Sequence, residues 1–166
     1  MGAIVAVIGD THCNSMAGLT PPVVARDDGS EHRPNKSQRQ VWVKWKRFWA
    51  YVKDLKERRL KRDLDLYVVF AGDVVDVNSH DGASLICHNK GSLMDLAIEV
   101  FAPVAEMADY LFVIRGTEAH TGGRGELEEL LADDLGAEPD PLTGRDSWWH
   151  LQLQVEGVIF DVAHHP

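Results

Sequence analysis

The sequence predicts an α/β protein built on a mostly parallel sheet and finished by a C-terminal β-hairpin. Residues 3–9, 66–71, 110–114 and 158–163 are near-continuous apolar runs of strand length, the pattern of strands buried on both faces of a parallel sheet. The segments between them carry apolar residues at helical spacing. Residues 148–155 instead alternate, with Trp149, Leu151, Leu153 and Val155 on one face, and Glu156-Gly157 then joins them to the 158–163 run. That is a hairpin with a two-residue loop.

Taken in order, the first strand stops at Gly9 and hands over to Asp10-Thr11-His12, a carboxylate and an imidazole two positions apart. Residues 14–36 are polar, bear Pro and Gly and show no clear periodicity. Loops of that length are generally functional or disordered, and the position directly after Asp-x-His marks this one as a lid-like insert. Asp27-Asp28-Gly29-Ser30 is a turn signal within it, and His32 is expected to be solvent-exposed. Residues 37–60 read as a helix whose stripe of Val41, Trp45, Phe48, Val52 and Leu55 faces the sheet, widened by Trp42 and Trp49. The second strand ends in Gly72-Asp73-Val74-Val75-Asp76. The glycine permits a sharp turn, and Asp76 either returns to the same site or caps a helix. His80 lies in a further polar loop on that rim. Residues 91–109 form a second helix with Leu93, Leu96, Ala97, Val100, Phe101, Val104 and Met107 as its stripe, and Pro103 is expected to kink or break it. The third strand ends in Arg115-Gly116-Thr117-Glu118-Ala119-His120, residues 126–135 form a short helix, and the last strand runs into His164-His165.

A chain of 166 residues suits one domain, here 1–166. Its net charge of −9 is unevenly spread: 11 of the 17 Lys and Arg fall within 36–62 against two acids, leaving 6 basic and 24 acidic residues elsewhere. Such a segment is either a solvated helix face or a surface facing a polyanion. Its interleaved aromatics could stack nucleobases, although Trp and Phe at core spacing are mostly core. Cys13 and Cys87 form neither a disulfide framework nor a zinc-ribbon spacing. No apolar run approaches the roughly 20 residues of a membrane helix. No membrane partner is expected, and the cytoplasm is the expected location.

In open α/β sheets, ligands bind beyond the carboxyl ends of the strands. Four strands that each finish in Asp, His or Glu therefore outline a metal-binding rim. The donors suit borderline-hard divalent ions, and a carboxylate at the end of a central strand can bridge two ions about 3.5–4 Å apart. No P-loop, nucleophile elbow or G-x-G-x-x-G competes with this reading.

Asp10-Thr11-His12 matches a D-x-H motif, Gly72-Asp73-Val74-Val75-Asp76 a G-D-x-x-D/N motif, and Ala163-His164-His165-Pro166 a histidine that follows a strand. In that order the pattern resembles the calcineurin-like metallophosphoesterases, which include Ser/Thr phosphatases, purple acid phosphatases, cyclic-nucleotide phosphodiesterases and DNA-repair nucleases. The resemblance implies an α/β/β/α sandwich and two divalent ions, most naturally Mn²⁺, with Fe, Zn²⁺ and Mg²⁺ as alternatives. It implies hydrolysis of a phosphomono- or phosphodiester by a metal-bound hydroxide. Asp10 and His12 would hold one ion, Asp73 would bridge both, and His164 would hold the second.

The third motif departs from the family. Where the family has Gly-Asn-His, this chain has Gly116-Thr117-Glu118-Ala119-His120. On this reading Glu118 replaces the Asn as a ligand of the second ion, Thr117 being its ungapped equivalent, and His120 protonates the leaving group. Asp76, Thr117 and His165 would support the ligands. Arg115, His80, Lys46 and Arg47 are the expected substrate contacts, and the basic 36–62 segment favours a nucleotide or nucleic-acid substrate. The family's G-H-x-H is missing, so the chain is expected to be a piece of a longer protein. Its long insert and its Gly-Thr-Glu-x-His variant look similar to phage- or prophage-encoded members. The alternative is a non-catalytic scaffold or binding module that keeps the fold around an incomplete metal site.

Overall fold

The computed structural model describes residues 2–59, 64–77 and 84–164. The elements follow in the order β1 (Gly2–Ile8), β2 (Val24–Ala25), β3 (Glu31–His32), α1 (Lys36–Asp54), β4 (Leu64–Ala71), α2 (Lys90–Ala105), β5 (Tyr110–Ile114), α3 (Glu118–Thr121), α4 (Glu126–Leu135), β6 (Ser147–Trp148), β7 (Leu151–Val155) and β8 (Val158–Val162). Strands β1, β4, β5 and β6 form one sheet in the order β1-β4-β5-β6, with every neighbouring pair parallel. The expected α/β class with a parallel sheet is observed. No helix among the described residues is long and apolar enough to cross a membrane.

Side chains alternate across a strand, and β4 divides its apolar residues accordingly. Leu66, Val68 and Phe70 join the main core with Trp49 and Val52 of α1, Leu93 and Phe101 of α2, and Leu127 and Leu131 of α4. Val69, flanked by the partly buried Tyr67, faces the other way into a smaller cluster with Phe112, Ile114 and Leu151. That second cluster contains no helix residue; β7 and β8 cover it. The layers are therefore helices, parallel sheet and hairpin. The hairpin has the expected two-residue loop, Val155 pairing with Val158 in an antiparallel ladder of its own.

Three sequence expectations are corrected. Residues 3–9 do not form a strand buried on both faces: β1 is an edge strand, and Val7 stays 45% exposed. His32 is buried rather than exposed, its Nδ1 lying 3.3 Å from an Arg26 nitrogen, and burial holds its pKa below the ordinary histidine value. The α1 stripe is also rotated. Gln38, Trp49 and Val52 are its buried residues, whereas Val41 and Phe48 are 41% and 40% exposed. The reason is local. Asn35 and Gln38 form a reciprocal capping box at the start of α1, and Gln38 Nε2 also donates to the Ser15 and Gly18 carbonyls at 3.1 and 3.4 Å. Those bonds fix the roll of the helix, and the indoles of Trp45 and Trp49 pack edge to face at 5.4 Å, with Trp45 against Phe101 at 5.8 Å. The helix α2 passes through Pro103 and ends two residues later at Ala105.

The 14–35 stretch is knitted into the fold. It contains the β2–β3 pair, closed around the predicted 27–30 turn by Arg26 N–H to the Ser30 carbonyl at 2.8 Å. Leu19 and Val24 lie in the core. Asn14, fully buried, donates to the carbonyls of Asp76 (3.0 Å) and Cys87 (2.9 Å) and accepts from the Cys87 amide at 2.7 Å. Buried peptide groups left without partners cost about 1–3 kcal/mol each. Replacing Asn14 with Ala is thus expected to destabilise the protein by ~3 kcal/mol, read as a lowered urea midpoint with an unchanged m-value.

Candidate metal centre

The carboxyl ends of β1 and β4 are joined chiefly by backbone hydrogen bonds. The Asp10 amide donates to the Gly72 carbonyl (3.0 Å), His12 to Asp73 (3.0 Å), Cys13 to Val74 (2.9 Å) and Asp76 back to Cys13 (2.8 Å). The Thr11 hydroxyl adds a bond to the Val74 carbonyl at 2.8 Å. This ladder continues the register of the β1–β4 pair past the sheet and sets Asp10, His12, Asp73 and Asp76 on one rim. It also forces unusual backbone: Asp10, His12 and Asp73 have φ of 54°, 43° and 50°. Non-glycine residues rarely occupy that left-handed region, and where they do, the surroundings hold them there, often at functional sites.

Two glycines let the third strand and the hairpin close in. A Cβ on Gly116 would collide with Asp73, and one on Gly72, whose φ is 79°, would collide with the His164 ring. With both side chains absent, Thr117 donates its amide (2.6 Å) and hydroxyl (3.1 Å) to Asp73 Oδ1. His164 arrives from the end of β8. Its Nδ1 lies 2.8 Å from the Ala71 carbonyl, which can only accept, so Nδ1 carries a proton, and Nε2 lies 3.2 Å from Asp73 Oδ2.

The ligand-type atoms fall into two groups, His12, Asp76 and His120, and Asp10, Asp73 and His164, each with its donor atoms within 4.8 Å of one another. His12 spans them: its Nε2 is 3.9 Å from Asp10 Oδ1 and its Nδ1 3.8 Å from Asp76 Oδ2. His12 Nδ1 is buried and has no hydrogen-bond partner among the described residues. An orphaned imidazole nitrogen among carboxylates fits a cation, since a polar atom buried without a partner is otherwise costly. His120, on the short α3, puts Nδ1 3.2 Å from Asp76 Oδ1 and packs its ring edge-on to His12 at 4.5 Å. Asp76 fixes that ring with Nδ1 protonated, leaving Nε2 as the working nitrogen.

Of the residues singled out from sequence, Asp10, His12, Asp73, Asp76, Thr117, His120 and His164 are brought together. His80 and His165 lie outside the described residues. Glu118 is exposed on α3 and belongs to neither group; Thr117 is the residue bonded to Asp73. Arg115 is only 5% exposed, with its guanidinium committed to Glu129 at 3.0 Å and the Ser147 hydroxyl at 2.8 Å. It braces β5 against α4 and β6, and it borders a separate cavity with Glu129, Arg145 and Trp149 rather than the one beside the Asp/His cluster. Lys46 lines the groove between α1 and α2, while Lys44 borders the cavity beside the Asp/His cluster. Arg47 is exposed on α1 and lines neither space.

One site residue was not legible from sequence. Glu128 of α4 is fully buried and accepts from the Val74 amide at 3.1 Å and from the Gly116 amide, gripping the two loops that carry Asp73 and Thr117. In sequence it is one acid among the run Glu126, Glu128 and Glu129, and only burial distinguishes it.

Burial pushes the Glu128 carboxyl from 4.5 up to about 7, the Asp73 charge acting in the same direction and the two amide donors against it. The folded state therefore holds a proton that the unfolded state releases between pH 4.5 and about 7. Glu128 thus stabilises the fold more below that window than above it. In chelator, wild type is expected to lose stability relative to Glu128→Gln as pH rises through the window, by on the order of 3 kcal/mol at most. Urea melts of both proteins at several pH values measure this difference.

Compared with protein-family models, with curated proteins and with solved structures, the chain matches none of them.

Proposed function

We propose that this protein is a divalent-metal-dependent phosphoesterase of the calcineurin-like type. The observation that carries the proposal is the convergence of Asp10, His12, Asp73, Asp76, His120 and His164 at the carboxyl ends of β1 and β4, the start of α3 and the end of β8. The helix layer, parallel sheet and hairpin supply the elements that an α/β/β/α sandwich would require on this side of the molecule. Asp73, with Asp10, His12 and His164 around it, would hold two divalent ions, and their mixed carboxylate and imidazole donors suit Mn²⁺, with Fe, Zn²⁺ and Mg²⁺ as alternatives. Ions bound there supply charge to neutralise a phosphoester and lower the pKa of water toward ~7.

The remaining steps fall to side chains. Thr117 and the Gly116 turn hold Asp73 in one orientation. His164, locked by the Ala71 carbonyl, keeps its Nε2 toward Asp73. The Asp76–His120 pair is the proton source: the carboxylate steadies the imidazole, and Nε2 delivers a proton to the departing oxygen. The substrate is a phosphomono- or phosphodiester, with nucleotide or nucleic acid favoured by the basic charge of 36–62.

Two outcomes test the reading. Asp73→Asn is expected to abolish Mn²⁺-dependent hydrolysis of an aryl phosphodiester and to lower bound metal, measured by elemental analysis of the dialysed protein. His120→Asn is expected to lower kcat by ~10²- to 10⁴-fold. A second reading, a non-catalytic module on the same fold, is favoured by two features: each group offers three donors among the described residues, and Thr117 stands where the family has Asn. Less than one ion per chain under saturating Mn²⁺ decides for that module.

A further inference from the structure

A cavity of about 680 Å³ opens directly beside the Asp/His cluster. One side is formed by Asp10, His12, Asp76 and His120, and the other by α1. Positions 41, 44, 45 and 48 share one face of that helix, so Val41, Lys44, Trp45 and Phe48 all border the cavity. The volume lies within the range of small-molecule sites, which are mostly apolar with a few convergent polar groups. Val41 and Phe48 leave large apolar surface open here, 41% and 40% exposed, although their helix buries Trp49 and Val52. Among the described residues Lys44 is the one Lys or Arg bordering this space, which the carboxylates of Asp10 and Asp76 and the imidazoles of His12 and His120 also border. A ligand that satisfies both sides has an anionic group toward the cluster and Lys44, and a flat apolar part against Phe48 and Trp45.

We propose that this cavity is the leaving-group site: it binds the organic half of a phosphoester whose leaving group carries a flat ring, either an aryl group or a nucleobase. The ring lies on Phe48 and Trp45, with Val41 closing the end, and Lys44 meets a phosphate oxygen. The assignment of the phosphate end rests on the phosphoesterase reading; the ring site rests on α1 alone.

Isothermal titration of the full chain with Mn²⁺ tests this without turnover, using phenylphosphonate, methylphosphonate and a nucleoside 5′-methylenephosphonate. Burying a ring against aromatic side chains is expected to make phenylphosphonate or the nucleoside analogue bind ~10-fold more tightly than methylphosphonate. Comparison of the two ring ligands tells aryl from nucleobase. Phe48→Ala is expected to bring ring and methyl ligands within about twofold of each other. Val41→Trp, which fills the cavity without removing apolar area, is expected to do the same, and urea melts confirm that both variants fold. Lys44→Gln is expected to weaken every ligand about threefold or more. Equal affinities for ring and methyl ligands in the wild type, or a ring preference that survives both α1 variants, overturn the proposal. A ring preference without any Asp73-dependent hydrolysis overturns the phosphoesterase reading and leaves the ring site standing; hydrolysis without a ring preference does the reverse.

Discussion

The strand ends of this protein can approach one another because two positions between them lack side chains. Gly116 lies against Asp73, and Gly72 against the His164 ring, at separations that admit no Cβ. The rest of the site follows from that contact. With the third strand drawn in, Thr117 can bond Asp73 with both its amide and its hydroxyl. With the hairpin drawn in, His164 can donate to the Ala71 carbonyl and turn its other nitrogen inward. Glu128 then reaches the Val74 and Gly116 amides together from α4. The backbone ladder between the loops after β1 and β4 holds Asp10, His12 and Asp73 in left-handed conformations, a cost of order 1–3 kcal/mol each that a less connected loop would not sustain.

The helix α1 connects the fold to the site by its roll. Two indoles and a buried glutamine take the inward positions, because burying a Trp removes more apolar surface from water than burying Val or Phe. Once Trp49 and Gln38 face inward, the helical repeat turns Val41, Lys44 and Phe48 toward the rim that carries His12 and His120. A packing decision in the core thereby sets the chemistry of the cavity wall.

Much of the site was legible in the sequence for one physical reason. A parallel strand must be apolar along its length and must release its polar residues at its end. Asp10, His12, Asp73, Thr117 and His120 follow closely on β1, β4 and β5, which are parallel and adjacent, and His164 follows β8 of the antiparallel hairpin that covers the sheet. Glu128 was not legible, because a buried carboxylate on a helix and a solvated one occupy the same sequence pattern. Arg115 follows a strand like the site residues, but its bonds to Glu129 and Ser147 hold it apart from the Asp/His cluster, and local sequence does not signal those partners. His32 was misread as exposed because nothing local indicates that the loop around it folds back onto the core.

The sequence by itself determined the class of the fold, the hairpin with its two-residue loop, and which residues emerge from the strand ends, since all of these depend on local periodicity and on neighbours in the chain. Tertiary structure decided which strand lies at the edge, how α1 is rolled, which acid is buried and which of Thr117 and Glu118 meets Asp73. Those outcomes depend on competition between distant groups for the same space. The competition at Asp73 is resolved by a glycine 43 positions along the chain, whose missing side chain is the room that Asp73 occupies.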